Sequence, residues 1–277
     1  PAGGDHSEVL MPELSRSLPV RCSPALAAGQ FPRTGLDLVN PRRLEMWRVL
    51  RALRCRRLVQ ILGPPGVGKR TLACLIANFV WQRHLFPDGV HYVRVDDLRQ
   101  IAGGGARNGA PRGSCGEPRA GDAFLSRTPA LPGHKLLVLD SCEGLYRWSR
   151  TGAFVDWLSR LLTENPELQL LIAAETHLPV STDHSRDPLL GSLEDHTVEV
   201  RPLSEADAVD LLRWFCRDHA ALQRLAAEAE SAQRIVELCG HLPYAIELFA
   251  RWAALRAPQD SPAALLQALE AEARRGG

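Results

Sequence analysis

The sequence predicts an α/β fold, a parallel sheet with helices on both faces, followed by a small all-α domain. Three observations carry that prediction. An apolar run (Leu58, Val59, Ile61, Leu62) leads into the glycine-rich loop Gly63-Pro64-Pro65-Gly66-Val67-Gly68-Lys69, and a helical pattern follows it. A second apolar run, Leu136-Leu137-Val138-Leu139, ends in Asp140, as a strand buried on both faces does when its carboxyl end carries a functional group. From Leu203 onward strands give way to helix after helix.

The elements follow in chain order. Residues 1–30 carry Pro, Ser, Gly and Ala without periodicity and are expected to be linker or tail. A helix is expected over 41–54, with Pro41 in its first turn and Met46, Trp47, Leu50 and Leu53 as its apolar stripe. The first strand is placed at 57–62. The helix after the glycine loop is placed at 69–84, with Leu72, Leu75, Ile76, Phe79 and Val80 on one face. Residues 89–95 alternate partly and suggest a second strand. The stretch 102–133, dense in Gly, Pro and Arg, lacks apolar residues to offset its ordering entropy and is expected to be a disordered insertion, with at most a helical turn near 122–126.

The third strand is 135–140. Phe154, Trp157, Leu158, Leu161 and Leu162 mark a helix that Asn165-Pro166 stops. A fourth strand is expected over 168–174 and a fifth over 197–201, with a polar loop between them. The nucleotide-binding domain is therefore set at 31–202 and the helical domain at 203–277. In the latter, Ser204-Glu205-Ala206-Asp207 resembles a capping box, and Ala208, Leu211, Leu212 and Phe215 form a stripe. A helix from 231 closes at Gly240, another starts at Leu242-Pro243, and Ser261-Pro262 opens a last one.

Composition narrows the function classes. A net charge of +1 offers no overall electrostatic case for nucleic acid, and the arginines between Arg42 and Arg57 interleave with apolar residues as on a helix with a solvated basic face. The apolar runs are too short to cross a bilayer. Seven cysteines include no C-x-x-C pair, and the nine histidines show no ligand spacing, which argues against a metal centre and for a reducing, cytoplasmic setting. No leader is visible, and the first residue is Pro1, so an excised segment of a longer polypeptide is expected.

The chemistry centres on the loop. Gly63, Gly66 and Gly68 let the backbone curl until amides around Val67 point inward, and the following helix adds its unpaired N–H groups and positive dipole end. Lys69 then reaches phosphate oxygens. The motif places next a Ser or Thr whose hydroxyl ligates Mg²⁺. This chain has Arg70 there, with the hydroxyl one residue later at Thr71. Asp140 is the candidate catalytic carboxylate and metal anchor.

Taken together, GPPGVGKRTLA (63–73), LLVLDSCEGL (136–145), LQLLIAAETHL (168–178), EVRPLSEADAVDLL (199–212) and CGHLPYAIELFARWAAL (239–255) resemble the nucleotide-binding module of the STAND P-loop NTPases, the NB-ARC or AP-ATPase group. The resemblance covers roughly residues 31–273. It implies an ADP or ATP ligand, Pro243 presented to the adenine ring, and Arg42 near the adenine, with Pro41 in place of the family's glycine. It also implies a switch inside a longer signalling protein, with sensor and effector domains as partners, and self-assembly on activation. Three positions depart from the pattern. Arg70 replaces the metal-ligating hydroxyl, Ser141 follows Asp140 where some relatives have a second acid, and Glu175 stands where an arginine usually senses the γ-phosphate. A carboxylate facing a triphosphate is repelled by ~4 kcal/mol at about 4 Å in a partly shielded site. The winged-helix domain of the family has no counterpart in the sequence.

Three functions stay open at this level: an adenine-nucleotide switch, a non-hydrolysing nucleotide-binding scaffold in which Arg70 supplies the counter-charge, and an ATPase in which Thr71 takes over the metal.

Overall fold

A computed structural model of the chain describes residues 42–94, 130–142, 153–178, 197–256 and 261–276. The expectations for 1–30, for 102–129 with its turn near 122–126, and for the loop from 179 to 196 lie outside the described residues. The described part forms two compact units. One contains Leu44–Leu62 and Lys69–Glu199; the other contains Gly63–Gly68 and Val200–Gly277, together with Arg42 and Arg43.

The first unit is built on a five-stranded, all-parallel sheet: β1 (Leu58–Leu62), β2 (Val90–Arg94), β3 (Leu136–Asp140), β4 (Gln169–Ala174) and β5 (Thr197–Glu199). Their spatial order is β2-β3-β4-β1-β5. Every residue of β1 and β3 is buried, which is why these segments read as largely apolar runs rather than alternating ones; Gln60, the polar residue in β1, accepts the Leu178 N–H through Oε1 at 3.2 Å. Alternate side chains still divide between the faces. Leu58, Leu62, Leu137, Leu139, Leu170 and Ile172 pack on one face with α3 (Ala153–Glu164), through Phe154, Trp157, Leu158, Leu161 and Leu162. Helix α2 (Lys69–Gln82) covers the other face, touching β1 to β4. Helix α1 (Arg43–Cys55) precedes the sheet.

Three local expectations need correction. On α1 the buried positions are Val49 and Leu53, whereas Trp47 is 54% exposed and lies under the Arg51 guanidinium. Its ring therefore satisfies a cation at the surface, an interaction that apolar periodicity does not encode. The stretch expected to be disordered ends too late, because Leu131 is fully buried in the core. Its N–H donates to Asn165 Oδ1 at 2.5 Å, while Asn165 Nδ2 donates to Leu161 O at 2.9 Å. Asn165 thus caps α3 and pins the entry to β3. Arg57, read as part of a solvated basic face, instead donates to the Leu162 and Asn165 carbonyls at the carboxyl end of α3, where a cation complements the helix dipole, and to the Leu168 carbonyl just before β4.

The second unit holds α4 (Glu205–Cys216), α5 (Ala220–Ala227), α6 (Ala229–Leu238), α7 (Pro243–Arg256) and α8 (Pro262–Gly276) around one apolar core. Helix α5 has no counterpart among the expected elements. Its eight residues (AALQRLAA) make only about two turns, too short to be stable alone, and packing of Leu222, Leu225 and Ala226 into the core supplies what propensity does not. Ser204 caps α4 as expected, accepting the Asp207 N–H at 3.2 Å; in place of the reciprocal arm of a capping box, the Asp207 carboxylate accepts the Ser204 hydroxyl at 2.6 Å. Helix α6 ends in a Schellman motif: His241 N–H reaches Val236 O and Gly240 N–H reaches Glu237 O, both at 2.9 Å. Gly240 has φ +61, a value that favours glycine.

Two outcomes follow from the sheet unit. Asn165→Ala strands the buried Leu131 N–H and is expected to cost about 1–3 kcal/mol in urea unfolding. His91 on β2 is held at about 4, below its ordinary 6.5, by burial and then by the Lys135 charge. The native state therefore binds fewer protons than the unfolded chain. The stability His91 confers is complete above about pH 6.5 and is lost progressively as pH falls towards 4, by roughly 2–3 kcal/mol. Urea midpoints across that window should fall more steeply for the wild type than for His91→Gln.

Candidate functional site

In the sheet unit, Lys69, Arg70 and Thr71 form the first turn of α2, directly after the glycine loop. Asp140 is the last residue of β3, and β4 separates that strand from β1. Arg70 Nε donates to Asp140 Oδ2 at 2.5 Å, and Arg70 Nη2 donates to Ser141 Oγ at 2.8 Å. Ser141 adopts φ +62, a left-handed turn immediately after the strand. The same Asp140 oxygen accepts the Tyr92 hydroxyl at 3.0 Å. Asp140 is almost fully buried, whereas the Arg70 side chain is 48% exposed.

Tyr92 joins this cluster without a signal in the sequence. It lies opposite Val138 in the β2–β3 register, so it shares a face with Asp140, and strand register is not visible in a single strand's sequence. Burial, then the neighbouring Cys74 and Asp140 charges, push its hydroxyl well above the ordinary tyrosine range. It therefore stays protonated and acts as a donor to the carboxylate. Cys74, on α2, is pushed up to about 11, chiefly by burial. It packs as a small hydrophobe, with its thiol kept protonated by burial. Glu175 is exposed just beyond β4.

In the helical unit, the glycine loop is held from behind. Tyr244 N–H, one of the orphan donors at the start of α7, donates to Gly66 O at 3.1 Å. Arg42, 7% exposed, donates from Nη2 to Val67 O at 2.8 Å and from Nη1 to Arg201 O at 2.7 Å. Gly66 has φ +77, and a Cβ there would lie 3.2 Å from Tyr244 Cβ, so both the backbone and the close approach require glycine. Gly63 lies against the Val200 carbonyl, and the Pro243 ring lies beside Gly68. Gly63, Gly66, Val67 and Gly68 are thus gathered with Arg42 and Pro243 in one unit. Arg42 ties the loop carbonyl of Val67 to the Arg201 carbonyl that follows β5.

Residues 57–219 match the NACHT domain, more than half of the chain. The chain belongs to the NACHT family. It is therefore a STAND-type P-loop NTPase domain, and a nucleotide-binding, regulatory character comes with that assignment. Among curated proteins it is similar to the regulatory protein AfsR of Streptomyces griseus, 30% identical over 196 residues, covering 71% of this chain and 18% of that protein. It is also similar to the replication factor C large subunit of Pyrobaculum arsenaticum, 24% identical over 167 residues, covering 60% of this chain and 33% of that one. The chain thus spans a third or less of these relatives. Among solved structures, the Walker-type ATPase PABY2304 of Pyrococcus abyssi superposes with TM-score 0.52 at 14% identity, covering 82% of this chain and 70% of that one. A mutant RuvB of Thermotoga maritima gives 0.50 at 16%, covering 87% and 72%. At these identities the likeness shows the fold alone.

The NACHT domain's residues fit a nucleotide phosphate. The loop turns through positive φ at Gly66 and Gly68, and Lys69 stands at the amino end of a 14-residue helix. They do not fit Mg²⁺. The hydroxyl position is Arg70, whose guanidinium is bonded to the Asp140 carboxylate that a cation would need. Among the described residues, no group of three or more His, Cys, Asp or Glu side chains could hold a metal ion, and no helix is long and apolar enough to cross a membrane.

Arg42→Ala removes two charge-assisted bonds to carbonyls. It is expected to lower the stability of the helical unit by roughly 2–3 kcal/mol and to speed amide exchange across 63–68, both measurable by hydrogen exchange with denaturant titration. Arg42→Lys, which cannot fork across both carbonyls, should recover less than half of the loss.

Proposed function

We propose that this NACHT domain is an adenine-nucleotide-binding switch module of a larger regulatory protein. One observation carries the proposal: the loop that suits phosphate is bonded through Gly66 O to the first amide N–H of α7 and through Val67 O to Arg42. Any change in the loop on taking a nucleotide is thereby passed to the start of a helix in the same unit. A bound nucleotide would supply its phosphates as the anionic partner for the loop amides and Lys69. Pro243, beside Gly68, is the group assigned to the base, as in the NB-ARC modules that the sequence resembles. Asp140 and Thr71 are assigned to the phosphate end, and Arg42 holds the loop's shape.

The regulatory half of the proposal is supported by the name of the curated relative from Streptomyces griseus, a regulatory protein. A switch of this kind needs ligand affinity to differ between two states, by about 5.5 kcal/mol to go from 1:99 to 99:1. Sensor and effector domains, a self-associated active state and a cytoplasmic location are the partners and setting that such a module requires.

Calorimetric titration of ADP and ATP into nucleotide-stripped protein tests the proposal. Lys69→Ala removes the one lysine of the motif, and affinity is expected to fall at least about tenfold, with the fold intact by circular dichroism. Binding should also slow amide exchange at Tyr244. A wild type that binds neither nucleotide would sink the switch.

A further inference from the structure

The phosphate end of the site departs from the usual metal-binding arrangement. In loops of this kind, the residue after the lysine offers a hydroxyl to a divalent cation, and the carboxylate at the end of the third strand holds that cation's shell. Here both anchors are engaged with one another. Arg70 Nε lies 2.5 Å from Asp140 Oδ2, and its Nη2 lies 2.8 Å from Ser141 Oγ. The same Oδ2 also accepts the Tyr92 hydroxyl at 3.0 Å. One nearly buried carboxylate oxygen therefore already has a full positive charge and a neutral donor upon it.

We propose that Arg70 takes the seat of the divalent cation, so that this NACHT domain holds its nucleotide without Mg²⁺. The inference rests on the nucleotide-binding reading above and adds to it the identity of the counter-charge. Three physical points support it. A guanidinium cannot shed its proton near neutral pH, so an incoming Mg²⁺ meets a fixed like charge rather than a vacant ligand. Mg²⁺ demands an octahedral shell of oxygens at about 2.0–2.1 Å, and Asp140 offers one carboxylate already doubly bonded at Oδ2. Arg70 is itself well suited to phosphate. Its planar fork pairs with phosphate oxygens, and its place in the first turn of α2 adjoins Lys69. Two fixed cations, Lys69 and Arg70, then face the nucleotide's charge where a lysine and a metal ordinarily do. With Asp140 held by Arg70 and Tyr92, ATP is bound and not turned over.

The experiment is the affinity of the 277-residue chain for ADP and ATP, in Mg²⁺ and in EDTA, for wild type, Lys69→Ala and Arg70→Thr. Wild-type affinities are expected to agree within about twofold between the two buffers, with no Mg²⁺-stimulated phosphate release, whereas Arg70→Thr should bind at least about tenfold more tightly in Mg²⁺ than in EDTA. A wild type that loses about tenfold or more on chelation, or that hydrolyses ATP with Mg²⁺, overturns the role given to Arg70 and leaves nucleotide binding standing. An Arg70→Thr variant as indifferent to Mg²⁺ as the wild type also overturns it. A folded wild type that binds neither nucleotide in either buffer overturns both. Should Arg70→Thr fail to fold, the wild-type comparison decides alone, with Arg70→Lys expected to stay metal-independent.

Discussion

A strand buried on both faces tolerates a charged group only where it ends and partners can hold it. Every residue of β1 and β3 is buried, so a carboxylate is tolerated there only at the last position, with partners to hold it. That constraint accounts for Asp140 at the carboxyl end of β3 and for the glycine loop leaving the carboxyl end of β1. It also accounts for the cluster around Asp140. Tyr92 and Arg70 come from β2, the strand beside β3, and from α2, the helix that covers one face of the sheet.

The helical unit obeys a different constraint, that of orphan backbone groups. The first N–H groups of a helix need acceptors outside it. At α7, Pro243 removes one of these donors by having no N–H, and Tyr244 gives the next to Gly66 O. The glycine loop thus satisfies a helix start, while Arg42 satisfies the loop's next carbonyl, at Val67. A segment with few side chains of its own is held through its backbone carbonyls by partners far away in sequence. This explains why the loop keeps a defined shape despite three glycines.

The proposed module, which holds a nucleotide and reports it rather than consuming it, draws on both arrangements. The loop's shape is linked to a helix start, which suits a sensor of occupancy. At the other end, the carboxylate that a hydrolytic site keeps for a metal is engaged by a guanidinium. Membership of the NACHT family sets the fold and the general ligand class. Of the departures from the motif, Arg70 is the one that the structure joins to the strand-end carboxylate.

The sheet and most helices are legible in the sequence because their signals are local. Largely apolar runs mark β1 and β3, and apolar spacing marks α2 and α3. Ser204, Gly240 and Pro243 mark helix ends through backbone chemistry that needs no partner elsewhere in the chain. The loop residues Gly63, Gly66, Gly68 and Lys69 and the carboxylate Asp140 are legible for the same reason. Helix α5 is not, since about two turns are too short to stand without the core they pack into. Trp47 leaves the apolar stripe it is spaced for because a cation over its ring holds it at the surface. The sequence shows that Arg70 stands where a hydroxyl is expected. Only the tertiary structure decides that its charge is directed to Asp140, because strand order and register bring together a helix start and a strand end that lie 70 residues apart. Tyr92, Ser141 and Arg42 find their partners in the same way, through contacts between distant segments that no local pattern records.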